Sequence, residues 1–192
     1  MSNNIKEKFA GLRRALDRLV DDSAFLESIE SAKKLLIKNL EKGRIILTCG
    51  NGGSATQASH MVGELVGRFG FDRPAIPAFS LFDLATTTAV GNDYGYDHIF
   101  SRFVDGLKNE NVVLFSISTS GNSGNCLKAM ESVKKKGMKN IALLGRDGGK
   151  MKELADVAII VPVNSTPLIQ EIHLAVIHHL CGEIENHFYG GK

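Results

Sequence analysis

No run of roughly 18 apolar residues is present in the 192-residue chain, so no segment is long and apolar enough for a membrane-spanning helix. Cysteine is scarce: Cys49, Cys126 and Cys181 form an odd set without a C-x-x-C pair. That argues against a disulfide framework and for a reducing cytoplasm. An excess of either charge is missing as well. Lys and Arg total 23 against 21 Asp and Glu, and a net +2 is too small to imply a nucleic-acid or membrane partner. The opening "MSNNIKEKFAGLRRAL" is too charged for the core of a signal peptide. Internal repeats, low-complexity tracts and linkers are also missing. What remains is an ordinary globular composition, 43% hydrophobic and 23% charged, at a length that suits one domain, 1–192.

Ile5, Phe9, Leu12, Leu16 and Leu19 recur at spacings of four, three, four and three, a helical apolar seam. A second helix starts at a cap on Asp22 or Ser23 and runs to Gly43. Residues 1–42 thus read as a helical pair that must pack on something. From 43 to 192 the texture changes. Short apolar runs at 44–49, 76–81, 112–117, 140–145 and 157–161 end in Gly, Ser, Asp or Pro. Helical patterns at 54–69, 97–108, 123–136 and 148–155 separate most of them, and a last helix starts near Thr166. Continuous apolar strands alternating with helices predict an α/β fold. Its five-stranded parallel sheet would be covered on both faces in a three-layer, flavodoxin-like arrangement, with an N-terminal helical extension.

Ligands of such sheets bind outside the carboxyl ends of the strands, so the loops there carry the chemistry. "GNGGS" (50–54) follows the first strand and opens a helix; its glycines permit close backbone approach. It is neither G-x-G-x-x-G nor a Walker loop, and a plain strand-to-helix turn reads the same way. "STSGNS" (118–123) follows the third strand. Hydroxyls and a glycine at a helix start suit a phosphate monoester, although a serine-rich cap would look alike. "GNDYGYD" (91–97), with Asn92 and Asp93, is by itself only a turn.

His60 and Glu64 are four residues apart on one helix, so their side chains adjoin. Gln170, Glu171, His173, His178 and His179 crowd the last helix, while His98 and His187 lack context and read as surface. A His–Glu pair near a phosphate-type loop supplies the parts of aldose–ketose isomerisation. A base moves a proton between adjacent carbons, an acid serves the neighbouring oxygens, and a cation stabilises the enediolate.

"CGNGGSA…SHMVGELVGRF", "DRPAIPA", "AVGNDYGYDHIFSR", "STSGNS", "DGGKM" and "IQEIHLAVIH" together resemble the phosphoheptose isomerases of the SIS (sugar isomerase) fold. The similarity covers nearly the whole chain. It implies isomerisation of sedoheptulose 7-phosphate to D-glycero-D-manno-heptose 7-phosphate, a first step toward ADP-heptose for lipopolysaccharide core. It also implies a cytoplasmic homotetramer that binds zinc. Carried over, His60, Glu64, Gln170 and His178 resemble the zinc ligands, with Glu64 also the base and His178 the acid. Asn51, Gly52, Gly53, Asn92 and Asp93 resemble sugar-contacting positions, and Ser118, Thr119, Ser120 and Ser123 the phosphate cradle.

One stretch departs from the pattern. Many relatives carry a basic residue shortly before the Gln, and an aspartate earlier; here "NSTPLIQE" places Leu168 and Ser165 there. Arg68 becomes the candidate for the missing positive charge. Two other readings compete: an isomerase of another sugar phosphate, and a non-catalytic SIS-fold protein that grips the replication initiator. Proteins of the latter kind lack the catalytic Glu and the terminal-helix His, both of which this chain keeps. Finally, Gln170 and His178 are eight residues apart, about 12 Å along a straight helix, so either Gln170 lies in an irregular entry turn or the ligands come from different chains. That spacing, with the apolar seam of the first helix, predicts a site at a subunit interface to which Glu64 and His178 come from different chains.

Overall fold

The computed structural model describes residues 2–108 and 112–191. Helix α1 (Ser2–Val20) and helix α2 (Ser23–Leu40) form the expected pair. Asp22 caps α2 by accepting from the Phe25 N–H at 3.0 Å, and Gly43 turns the chain at φ +72° into the sheet. Only the C-terminal half of the α1 seam reaches the core: Leu19 is buried, whereas Phe9 is 68% exposed.

The sheet consists of β1 (Ile45–Gly50), β2 (Ala78–Ser80), β3 (Val112–Ser118), β4 (Lys139–Gly145) and β5 (Val157–Val161). All pairings are parallel, in the order β2-β1-β3-β4-β5. Alternate residues of each strand serve opposite faces, which is why the runs are apolar throughout. Val113, Phe115 and Ile117 of β3 join Ile46, Ile141 and Leu143 in one core, under α2, α3 (Gly53–Val66) and α8 (Thr166–Tyr189). Leu114, Leu47 and Leu144 join the other, under α5 (Ser101–Gly106) and α6 (Gly124–Lys135), with Met151 from α7 (Met151–Leu154). Truncating a side chain such as Phe115 to alanine would cost about 3–5 kcal/mol.

Several expectations need correcting. Residues 84–94 form a helix, α4 (Leu84–Tyr94), so Asn92 and Asp93 lie in its last turn rather than in a loop. The helix has no buried residue and hence no apolar stripe to betray it, and three consecutive threonines lower its propensity. The helical pattern at 97–108 splits into a 3-10 turn (Tyr96–His98) and α5, and β2 keeps three residues of the expected 76–81. All three cysteines are buried and free. Among the described residues, no helix is long and apolar enough to cross a membrane.

Candidate active site

The strand order reverses between β1 and β3, and the crevice there is where an α/β sheet receives ligands. "GNGGS" and "STSGNS" flank it. Asn51 leaves β1 and pairs its carboxamide reciprocally with Asn125 of α6, both bonds at 2.8 Å. Tyr96 donates its hydroxyl to Asn51 Oδ1 at 2.8 Å. Asn51 thus ties the two loops together, and its side chain is already engaged. Asn125 and Tyr96 escaped the sequence reading because nothing local marks a residue that braces another loop.

Gly52 takes a positive φ, +53°, as the residue before α3. Gly53 is needed for a different reason: a Cβ there would collide with the side-chain amide of Gln170. The serine loop is a compact knot. Ser118 Oγ lies 2.9 Å from Ser123 Oγ and 3.5 Å from Ser120 Oγ, and accepts from the Gly121 N–H at 3.1 Å. Thr119, half-buried, places its carbonyl against Gly145. Ser123 makes no side-chain cap to α6; the Cys126 N–H donates to Asn125 Oδ1 at 2.9 Å, which leaves the N–H groups of Gly124 and Asn125 for an anion. Asp97, absent from the sequence reading, points its carboxylate at Gly124 beside the same helix start. Asn92 and Asp93 are exposed on α4, bonded to each other at 2.8 Å.

At the other end of α3 a second constellation forms, against α8. His60 Nε2 is 3.2 Å from Glu64 Oε1 and 2.9 Å from His178 Nε2. One ligand atom from each of the three lies within 4.8 Å of the other two. Two imidazole nitrogens and a carboxylate oxygen are the donors of a catalytic zinc site with one position left open. This cluster already forms within a single chain, whereas the expectation was that Glu64 and His178 come from different ones. α3 and α8 run side by side in the same direction, and that alignment brings His178 to His60.

Gln170 does not join them. It sits in a regular part of α8, accepts at its backbone oxygen from Gln57 Nε2 at 2.6 Å, and covers Gly53. The expected helical spacing therefore holds within the chain. Arg68 is exposed just past α3, about 20 Å along the helix axis from the serine loop it was expected to serve. Leu168 packs near Gly11 of α1, and Ser165 precedes α8 without capping it by its side chain.

Of the remaining histidines, His179 is exposed on α8 and the other three are partnered or buried. His98 lies 2.9 Å from Lys128 Nζ and His187 3.0 Å from Glu41 Oε1, so neither is a bare surface residue. His173 is fully buried under the sheet, and desolvation lowers its pKa from 6.5 to about 4. Cys181, beside the cluster, is not among the groups that converge there. Burial, followed by the charges of Glu64 and Glu185, pushes its thiol up to about 12.

The SIS domain profile matches residues 9–145. A phosphoheptose isomerase of Helicobacter pylori is 48% identical over 98% of this chain and 97% of its own. One from Vibrio cholerae is 44% identical over 94% and 95%. Among solved structures, phosphoheptose isomerase from Neisseria gonorrhoeae superposes with a TM-score of 0.89 at 38% identity, over 96% of this chain and 98% of that one. The enzyme of Francisella tularensis gives 0.90 at 37% identity, over 96% and 97%. The agreement in fold and sequence runs from the N-terminal helices through the last one, so the chain belongs to the phosphoheptose isomerases of the SIS domain family.

Proposed function

We propose that this chain converts sedoheptulose 7-phosphate to D-glycero-D-manno-heptose 7-phosphate in the cytoplasm, toward ADP-heptose and lipopolysaccharide core. The observation that carries the reading is the convergence of His60, Glu64 and His178 in one chain. The Glu64 carboxylate takes the proton from C1 of the ketose and returns it to C2. His178 gives a proton to the C2 oxygen and takes the one that the C1 hydroxyl loses, leaving the aldehyde. His60, Glu64 and His178 would hold a divalent cation, zinc by their donor set, and it would supply a Lewis acid to polarise the carbonyl. The phosphate is held by Ser118, Ser120 and Ser123 with the open start of α6 and its dipole. Thr119 lines the same loop.

The site works between copies of the chain. Glu64 lies eleven residues beyond Gly53, about 16 Å along α3, and His178 lies about 12 Å beyond Gln170 on α8. The proton-transfer cluster of one chain is thus set well along α3 and α8 from their starts, where Gly53 and Gln170 meet. Exposed apolar side chains are available for association: Ile5 and Phe9 on α1, Phe79 on β2, and Leu84 on α4 at 71%. In the homotetramer, the serine loop of one subunit faces the His–Glu–His cluster of another, with Gln170 as a ligand or substrate contact from across the interface.

An NMR assay of purified protein with sedoheptulose 7-phosphate, beside arabinose, fructose and glucosamine phosphates, tests the reading. Turnover of the heptulose well above the others is the expected outcome. Preference for another sugar phosphate would replace the substrate assigned here.

A further inference from the structure

A buried ion pair grips the end of α3 that carries Glu64. The Arg73 guanidinium donates from Nη2 to the backbone carbonyl of Glu64 at 2.8 Å. From Nη1 it donates to the carbonyls of Leu65 at 2.6 Å, Gly67 at 3.1 Å and Pro74 at 3.1 Å. Glu64 and Leu65 belong to the last turn of α3, where carbonyls lack helical partners and the dipole favours a cation. Glu185 reaches the same place from α8. Its carboxylate accepts from the consecutive N–H groups of Phe69, Gly70 and Phe71, at distances between 2.9 and 3.2 Å. Arg73 Nε stands 3.7 Å from Glu185 Oε1, and both side chains are 1% exposed. Burial alone would raise the carboxyl; the three amides and Arg73 outweigh it and hold it below its usual value, so it stays charged.

Taking two charges out of water is costly, and a well-packed apolar pair often stabilises a fold as much. The contacts of this pair point to position instead. Arg73 touches Glu64 through its carbonyl. Glu185 fixes Phe69, whose ring lies 5.7 Å from the His178 ring, and Gly182 leaves room for that ring. Each member of the Glu64–His178 pair is thereby located by one member of the ion pair. We infer that Arg73 and Glu185 are positioning residues, which hold Glu64 and His178 at the mutual distance that proton transfer and metal binding require. The inference rests on Glu64 and His178 acting at one centre.

Arg73→Lys separates charge from geometry. It keeps a cation beside Glu185, but an ammonium cannot hold these four carbonyls in the planar fork of a guanidinium. With secondary structure retained, kcat should fall about 10- to 100-fold while KM changes little, as for a small misplacement of reacting groups. Zinc affinity, measured by chelator competition, should weaken by about 10- to 100-fold. Amide exchange at 64–71 should quicken in metal-free protein. Should Arg73→Lys not fold, Phe69→Leu serves, since Phe69 is 40% exposed and keeps its N–H bond to Glu185. It should lower kcat and zinc affinity in the same direction, by less. Val104→Ala, a core truncation on α5, controls for lost stability and should alter neither. Wild-type kcat and zinc affinity in both Arg73→Lys and Phe69→Leu would overturn the inference, as would equal losses in Val104→Ala. If the wild type does not turn over sedoheptulose 7-phosphate, the functional reading fails by itself. Zinc affinity and amide exchange then still decide the role of the pair.

Discussion

His60 Nε2 lies 2.9 Å from His178 Nε2, although 118 residues separate them in sequence, and the two rings meet edge to face at 5.2 Å. Glu64 Oε1, 3.2 Å from the same His60 nitrogen, completes a cluster drawn from one turn of α3 and one position of α8. Lone pairs of two rings so close repel unless a proton or a cation lies between them. That is the physical reason for expecting a metal.

Zinc added to metal-free protein should raise the melting temperature. At a hundredfold excess over Kd the stabilisation is about 2.7 kcal/mol, which corresponds to roughly 5–10 °C for a chain of this length. His178→Ala should abolish the shift. If zinc, cobalt, nickel and manganese all leave the wild-type transition where it was, the cluster is not a metal site.

Subunit mixing separates two ways of dividing the site. Glu64→Gln and His178→Ala, dissociated and reassembled together, should regain no activity, because both residues serve from one chain. Glu64→Gln mixed with an inactive Ser118→Ala/Ser120→Ala protein should recover activity at roughly a quarter of the sites, as random twofold pairing dictates. Recovery in the first mixture, or none in the second despite mixed oligomers on a sizing column, would contradict the arrangement.

Single substitutions should split the kinetic constants. Glu64→Gln should lower kcat by about 100- to 10,000-fold, the usual loss of a general base. Ser120→Ala should chiefly raise KM, since its partner is a phosphate remote from the reacting carbons. A variant of Glu64 that kept a third of the activity would remove it from the role of base.

His173 predicts a pH dependence of stability. Its folded pKa, about 4, lies below the ordinary 6.5, so the unfolded chain binds the proton more tightly. Stability is therefore intact above pH 6.5 and falls as pH drops toward 4, by a total on the order of 3 kcal/mol. His173→Phe removes two buried ring nitrogens that make no hydrogen bond of good geometry. Urea melts should show it at least as stable as wild type at pH 7, with much of the loss between pH 6.5 and 4 gone. An unchanged acid slope would mean that His173 is not its source.

The sheet and the serine loop were legible because their signals are local. Uninterrupted apolar runs such as "VVLFSI" mark strands buried on both faces, and "STSGNS" follows one of them. Helix α4 left a weaker trace. Asp83 accepts from the Thr86 N–H at 2.8 Å, and an aspartate three residues before a threonine run was the available sign. Arg73 lies in a segment that carried the family likeness and Glu185 in one that did not, and nothing in "DRPAIPA" or "CGEIENHF" says that one buried side chain meets the other.

By itself the sequence determined an α/β chain with a phosphate-type loop and a His–Glu pair, since periodicity and i,i+4 spacing are written along the backbone. The eight-residue spacing of Gln170 and His178 along a regular helix was legible in the same way. Only the tertiary structure decided how the set divides. Which histidine faces Glu64 depends on the register of α3 against α8, and that register is set by non-local packing of Met61, Leu65, Ile177 and Cys181 in one core. The same packing holds His178 to His60 and leaves Gln170 over Gly53, two turns away on the same helix.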